Sequence, residues 1–289
     1  MVTPETLAQA NAKSNRLRDL IHADKILIMP GAYDALSARL FEHLGFEAIQ
    51  GSSGAIAAGL GYQDGERITR AQMIEVTQRM VDAVSVPVNA DGEKGYGEAE
   101  GTSKTVRGLV QAGCAGMNLE DSLPQVAGAP WRLVPLEAQL EKIEAFQATK
   151  RELGSEFFLN ARVDALMVLQ DDPQAALREA IRRAQAYGEA GGDCIFFTNA
   201  HTREVIGELA REVPAPISVL AGPTTPPVAI LQELGVARVS YGTAFSSVAA
   251  GAMRRLSREI LESGSITALQ EGMPGSELTP LMRSEKADG

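Results

Sequence analysis

The chain has 289 residues, 45% hydrophobic and 22% charged, a composition that excludes a disordered or fibrous polymer and allows a large buried core. Its formal net charge of −10 argues against nucleic acid and anionic membrane as partners, because both reward an excess of Lys and Arg. A small anionic substrate stays open, since one site can be locally positive on an acidic protein.

In chain order, the first twenty residues are polar with no apolar stretch, so they do not read as a signal peptide. No apolar run approaches the length of a membrane span, and the expected setting is the cytoplasm. Short β-rich runs then alternate with helical periodicity. The expected strands are 26–31, 48–52, 86–91, 116–121, 157–164, 194–198, 217–222 and 238–243. The expected helices are 35–44, 70–84, 102–112, 136–152, 173–190, 202–212, 226–234 and 244–263. Several helices run into a glycine that supplies a left-handed stop: Gly45, Gly113, Gly191 and Gly235. Such alternation demands a parallel sheet buried on both faces, and eight units predict a TIM-type (β/α)8 barrel occupying 1–289 as one domain. Segment 264–289 reads as a C-terminal extension, either a helical hairpin or partly disordered. A doubly wound sheet is the runner-up, but it lacks its phosphate-binding fingerprint. Segment 122–135 has neither period and sits where a barrel carries a lid.

Two cysteines, Cys114 and Cys194, each just ahead of an apolar run, read as buried reduced thiols. Barrel chemistry occurs where strands end. There the chain places Gly51-Ser52-Ser53-Gly54, then Asp91-Gly92-Glu93-Lys94, Glu120-Asp121 and Arg162-Val163-Asp164. Carboxylates from adjacent strands need a cation, and oxygen donors favour Mg²⁺ or Mn²⁺ over zinc. Taken singly, each has a plain alternative: Asp121 or Glu98 as a helix cap, Arg162 as an ion pair with Asp164 or Glu120, Asp64 as a turn residue. The sharper readings are a shared metal site at Asp91, Glu93 and Glu120, and a carboxylate clamp at Arg162. The Ser52-Ser53-Gly54 turn suits a substrate carboxylate or phosphate. His22, His43 and His201 fall away from strand ends, which speaks against Ser–His–Asp or Cys–His catalysis. Lys94 ranks low as a Schiff-base former, because it sits in a glycine-rich loop.

These motifs, with PGAYDALSARL (30–40), NLEDS (118–122), NARVDAL (160–166) and AGGDCIFF (190–197), resemble the isocitrate lyase/phosphoenolpyruvate mutase superfamily from residue 30 to about 260. The family's DxDxGYG appears as DGEKGYG (91–97), with Glu93 one methylene longer than the usual aspartate. By position, the resemblance implies that Asp91 binds Mg²⁺ directly and that Glu93 and Glu120 hold it through waters. Ser52, Ser53 and Gly54 would then hold one end of a small anionic 2-oxo acid, Arg162 its carboxylate, and Asp64 would sit near the reacting atoms as a catalytic residue with Glu120 and Arg162. It also implies an eighth helix swapped between subunits, in a homodimer or homotetramer.

The lyase branch's KKCGH loop, the mutase branch's gate-loop lysine and its histidine after strand 6 are all missing; Thr198-Asn199 stands in the last place. The reading is therefore a Mg²⁺-dependent lyase or decarboxylase cleaving a C–C bond in an oxaloacetate-like or substituted-malate dicarboxylate, through a metal-stabilised enolate. The alternatives are a C–P enzyme of the phosphonopyruvate type and, from another class, a non-catalytic barrel that binds a 2-oxo acid.

Overall fold

The computed structural model describes residues 2–123 and 129–282. In chain order these form α1 (Pro4–Ile21), β1 (Leu27–Met29), β2 (Gly31–Ala32), α2 (Ala35–His43), β3 (Ile49–Gly51), α3 (Ser53–Gly59), α4 (Arg70–Ala83), β4 (Val88–Asp91), α5 (Ala99–Gln111) and β5 (Gly116–Glu120). Then come α6 (Leu136–Leu153), β6 (Phe158–Val163), α7 (Ala165–Val168), α8 (Pro173–Glu189), β7 (Cys194–Phe197), α9 (Arg203–Glu212), β8 (Ile217–Leu220), α10 (Val228–Glu233), β9 (Arg238–Ser240) and α11 (Ala244–Ser263). Beyond α11 lie a 3-10 turn at Thr267–Glu271, the single turn α12 (Gly275–Leu278) and a second 3-10 turn at Thr279–Leu281.

Every strand pairing is parallel, in the order β1-β9-β8-β7-β6-β5-β4-β3-β2. The stretch 26–31, expected as one strand, is two. Pro30 has no N–H to give the ladder, so β1 pairs with β9 while β2 pairs with β3. The Pro30 carbonyl still accepts the Gln50 N–H at 3.0 Å, and the barrel closes across this break. The expected strands occupy the barrel, and β4, β5 and β7 are buried along their whole length. The four glycine stops all take positive φ, between 76° and 100°.

Three helices were not anticipated. The polar N-terminal stretch is α1, capped by Thr3 and opened by Pro4. Its Leu17, Leu20 and Ile21 pack with Leu27, Ala48, Ala115, Phe158 and Cys194, residues that begin or just precede strands. The Ser14 hydroxyl also donates to the Ala115 carbonyl at 2.7 Å. Helix α1 therefore stoppers the end of the barrel where the strands begin, leaving the opposite end for chemistry. The Gly-Ser-Ser-Gly stretch, expected as a turn, instead opens α3 at Ser53, with Ser52 in the cap position but making no side-chain cap bond. The short α7 follows β6 directly.

Both cysteines are free and buried, and burial pushes each thiol up to about 12. Among the described residues no helix is long and apolar enough to cross a membrane. Helix α11 is the outlier of the barrel's outer layer. It buries no residue and leaves Val248, Met253, Ile260 and Leu261 exposed.

Candidate active site

Parallel register decides which side chains meet. Asp91 stands beside Asn118 across β4 and β5, and Glu120 beside Arg162 across β5 and β6. Side chains at paired positions project to the same face, so Glu120 and Arg162 are neighbours at the barrel mouth. Arg162 forms ion pairs with both Glu120 and Asp164; its Nε–H donates to Asp164 Oδ1 at 2.8 Å. Both plain partners foreseen for this arginine are thus present. Asp164 is held in turn by the Thr198 hydroxyl at 2.8 Å.

Asp91 is buried and accepts two backbone N–H groups, from Ser53 at 3.1 Å and from Glu93 at 3.1 Å. This joins Ser53, at the start of α3, to the carboxylate motif. Asp64 arrives from the loop after α3 and takes the Gly65 N–H at 2.9 Å. A methyl group built on Gly54 would lie 2.9 Å from Asp64 Oδ2, so the two residues touch although ten positions separate them. The structure thus brings Ser52, Ser53, Gly54, Asp64, Asp91, Glu93, Glu120 and Arg162 to one end of the barrel. His201 stays outside, with its Nδ1 3.1 Å from Thr225 Oγ1. Asp121 is not a helix cap: it accepts the Asp164 N–H at 2.8 Å, the Tyr187 hydroxyl at 2.8 Å and Arg183 Nη1 at 3.1 Å.

Lys94 is the main departure from the sequence reading. The residue is only 3% exposed, and its ammonium pairs with Glu120 and lies 3.8 Å from Glu93. Burial alone would pull its pKa down, but Glu120 and Glu93 outweigh that and raise it. Glu66, also unforeseen, staples the Asp64 loop to this segment: its Oε1 accepts the N–H groups of Lys94 at 3.1 Å and Tyr96 at 2.8 Å. Glu66, Glu93 and Tyr96 adopt positive φ, between 49° and 59°, conformations that side chains rarely take without a reason. Only the hydrogen bonds themselves reveal these roles.

Arg183 and Tyr187, one helical turn apart on α8, fix Asp121 from behind. Arg183 also donates to the Val134 carbonyl at 2.9 Å. The two ends of the 122–135 segment meet there through a Ser122–Leu133 bridge, with the Leu123 N–H on the Arg132 carbonyl at 2.8 Å. Residues 124–128 of the expected lid lie outside the described residues. Beneath the mouth, the lumen is polar: Asn89 donates to Gln50 at 2.9 Å and to Asn118 at 3.0 Å, and Asn160 donates to Asn118 at 2.7 Å. Fully buried Arg238 also bonds Gln50, and burial lowers its pKa to about 10.

Electrostatics favour a cation at the mouth. Glu93 is pushed up to about 9 by burial and by Asp91, Glu120 and Asp64 around it. Glu120 rises to about 7, again chiefly from burial, with Asp164 and Asp91 adding to it and Arg162 and Lys94 opposing. Four carboxylates, at Asp91, Glu93, Glu120 and Asp164, face two paired cations, at Lys94 and Arg162. That excess of hard oxygen donors fits a divalent ion in charge and in chemistry. The carboxylates are nonetheless drawn onto Lys94 and Arg162, and among the described residues no three acidic, His or Cys side chains are gathered around one point.

The family model described as phosphoenolpyruvate phosphomutase matches residues 17–261. The chain belongs to this family. Within the isocitrate lyase/phosphoenolpyruvate mutase superfamily it is 31% identical over 280 residues to 2,3-dimethylmalate lyase of Eubacterium barkeri, covering 94% of each chain. It is 33% identical over 279 residues to an oxaloacetate decarboxylase of Rhodopseudomonas palustris, covering 94% of this chain and 90% of the relative. Among solved structures, oxaloacetate acetylhydrolase in complex with the product oxalate superposes with a TM-score of 0.83 at 26% identity, covering 93% of each chain. For this phosphomutase-family chain, the residues quoted for the resemblance therefore sit in a fold the family shares.

Proposed function

We propose that the chain is a C–C bond lyase or decarboxylase acting on a small 2-oxo or 2-hydroxy dicarboxylate, oxaloacetate-like or a substituted malate, with Mg²⁺ or Mn²⁺. The observation that carries this reading is Arg162, braced by Asp164 and Glu120 beside the Asp91 and Glu93 carboxylates. An arginine aimed this way clamps a substrate carboxylate while the neighbouring acids keep a cation at the substrate's 2-oxo end. Asp91 would hold the metal directly, and Glu93 and Glu120 through water. When bound, the ion supplies Lewis-acid polarisation where negative charge collects as the bond to C3 breaks. Ser52, Ser53 and Gly54 take the far end of the substrate. Asp64, beside Gly54, handles the proton near C3. The described stems of the 122–135 segment stand beside the mouth, where Arg183 holds the Val134 carbonyl. Relatives named 2,3-dimethylmalate lyase and oxaloacetate decarboxylase support this substrate class.

The family's own description favours a second reading, C–P cleavage of a phosphonopyruvate-like substrate. Thr198-Asn199 and the lysine-free 122–135 segment weigh against it. One assay separates the two. Pyruvate released from oxaloacetate, abolished by EDTA and restored by Mg²⁺, is the expected result. Phosphate released from phosphonopyruvate moves the assignment to the second reading, and oxalate binding with no turnover across the panel sinks both.

A further inference from the structure

The family pattern leaves the position after the second acidic residue open, and this chain fills it with a lysine whose ammonium points into the acidic cluster. Glu120 has both carboxylate oxygens engaged, Oε1 by Lys94 Nζ and Oε2 by Arg162 Nη1. Glu93 Oε2 is 3.8 Å from the same ammonium. This aim is built from the backbone outward. Glu66 Oε1 fixes the Lys94 N–H at 3.1 Å, Lys142 Nζ donates to the Lys94 carbonyl at 3.1 Å, and Glu93 bends the chain through a φ of +49°. A lysine almost wholly removed from water is costly unless its charge is used, and here it faces two of the three acids read as the metal set.

We infer that Lys94 is a built-in counter-cation of the carboxylate cluster, which a divalent ion must displace from Glu120 before it can recruit Glu93 and Glu120. This rests on the metal site proposed above and adds that the chain's own lysine competes for it. The consequence is a deliberately weak metal site. Repulsion between an ammonium and a dication a few ångströms apart, at the effective dielectric of a protein, is enough to lower affinity by roughly tenfold or more. Arg162 also pairs with Glu120, but its Nε is held by Asp164, whereas the Lys94 ammonium faces only Glu120 and Glu93.

The test is Mn²⁺ binding by the full chain, followed by electron paramagnetic resonance and calorimetry rather than by turnover. Lys94→Met should bind Mn²⁺ about tenfold or more tightly than the parent, whereas Lys94→Arg, which keeps the charge, should stay near the parent value. Lys94→Gln gives the same readout should Lys94→Met fail to fold. A purely structural lysine would weaken metal binding on removal, so unchanged or weaker binding in both neutral variants overturns the inference while leaving the metal site standing. If neither parent nor variants bind Mn²⁺, the metal reading and this inference fall together.

Discussion

Arg162 Nε donates to Asp164 Oδ1 at 2.8 Å, and Asp164 is wholly buried while Arg162 keeps part of its surface at the mouth. The buried carboxylate aims the guanidinium, so substrate binding should depend on a residue that does not touch substrate. Asp164→Asn should raise KM roughly tenfold or more, with a smaller change in kcat, and should cost about 1–3 kcal/mol of stability by disturbing a buried charge-assisted bond. Steady-state kinetics beside a denaturant titration checks both parts. A KM within twofold of the parent would show that Arg162 needs no such brace.

Asp91 and Arg162 themselves should be dispensable for folding. Asp91→Ala and Arg162→Ala should each lower kcat/KM by about two orders of magnitude or more, with unchanged circular dichroism. The closed sheet and the α1 stopper do not depend on either side chain. Full activity in both variants would place the site elsewhere on the molecule.

The cluster also predicts a pH dependence with a definite sign. Glu93 is raised from 4.5 to about 9, so the folded chain binds a proton that the unfolded chain has already released. Its contribution is fully present below about 4.5 and is lost as pH rises toward about 9. Chelator-treated protein should therefore show a falling Tm across that window. Excess Mg²⁺ should flatten the slope, because a bound cation does the work of the proton. A Tm that rises with pH without metal would contradict the crowding of acids around Glu93.

The sequence exposed most of this site because the barrel converts periodicity into position. Once β4, β5 and β6 are recognised, Asp91, Glu120 and Arg162 must share one end of the sheet, and their register makes the pairing of Glu120 with Arg162 unavoidable. Helix α3 was hidden in Gly-Ser-Ser-Gly because small residues carry a turn composition even where a helix begins. Helix α1 was hidden because its buried face is only Ala10, Ser14, Leu17, Leu20 and Ile21 on an otherwise polar stretch. The break at Pro30 was missed because β1 and β2 form one apolar run along the sequence but pair with different neighbours. Lys94 and Glu66 lie deeper still. A lysine in a glycine-rich loop gives no sign in the sequence of being buried, and only the positive φ of Glu93 and the bonds from Glu66 turn it inward.

Helix α11 carries the last prediction. It follows the final strand, where a (β/α)8 barrel would normally lay a helix against its own sheet, yet beyond Phe245, which packs partly on Phe41, it buries no residue; Leu261 is 85% exposed and Val248 72%. Apolar side chains on a 20-residue helix need a partner surface, and a second copy offering the same vacant face satisfies both chains at once. Leu261→Glu should accordingly convert a dimer or tetramer into a smaller species in sedimentation velocity. In an isolated chain so exposed a position would tolerate the change within about 0.5 kcal/mol, so any larger loss of stability would itself point to a packed interface. Unchanged sedimentation in both Leu261→Glu and Val248→Asp would mean that α11 does not pack on a neighbouring subunit.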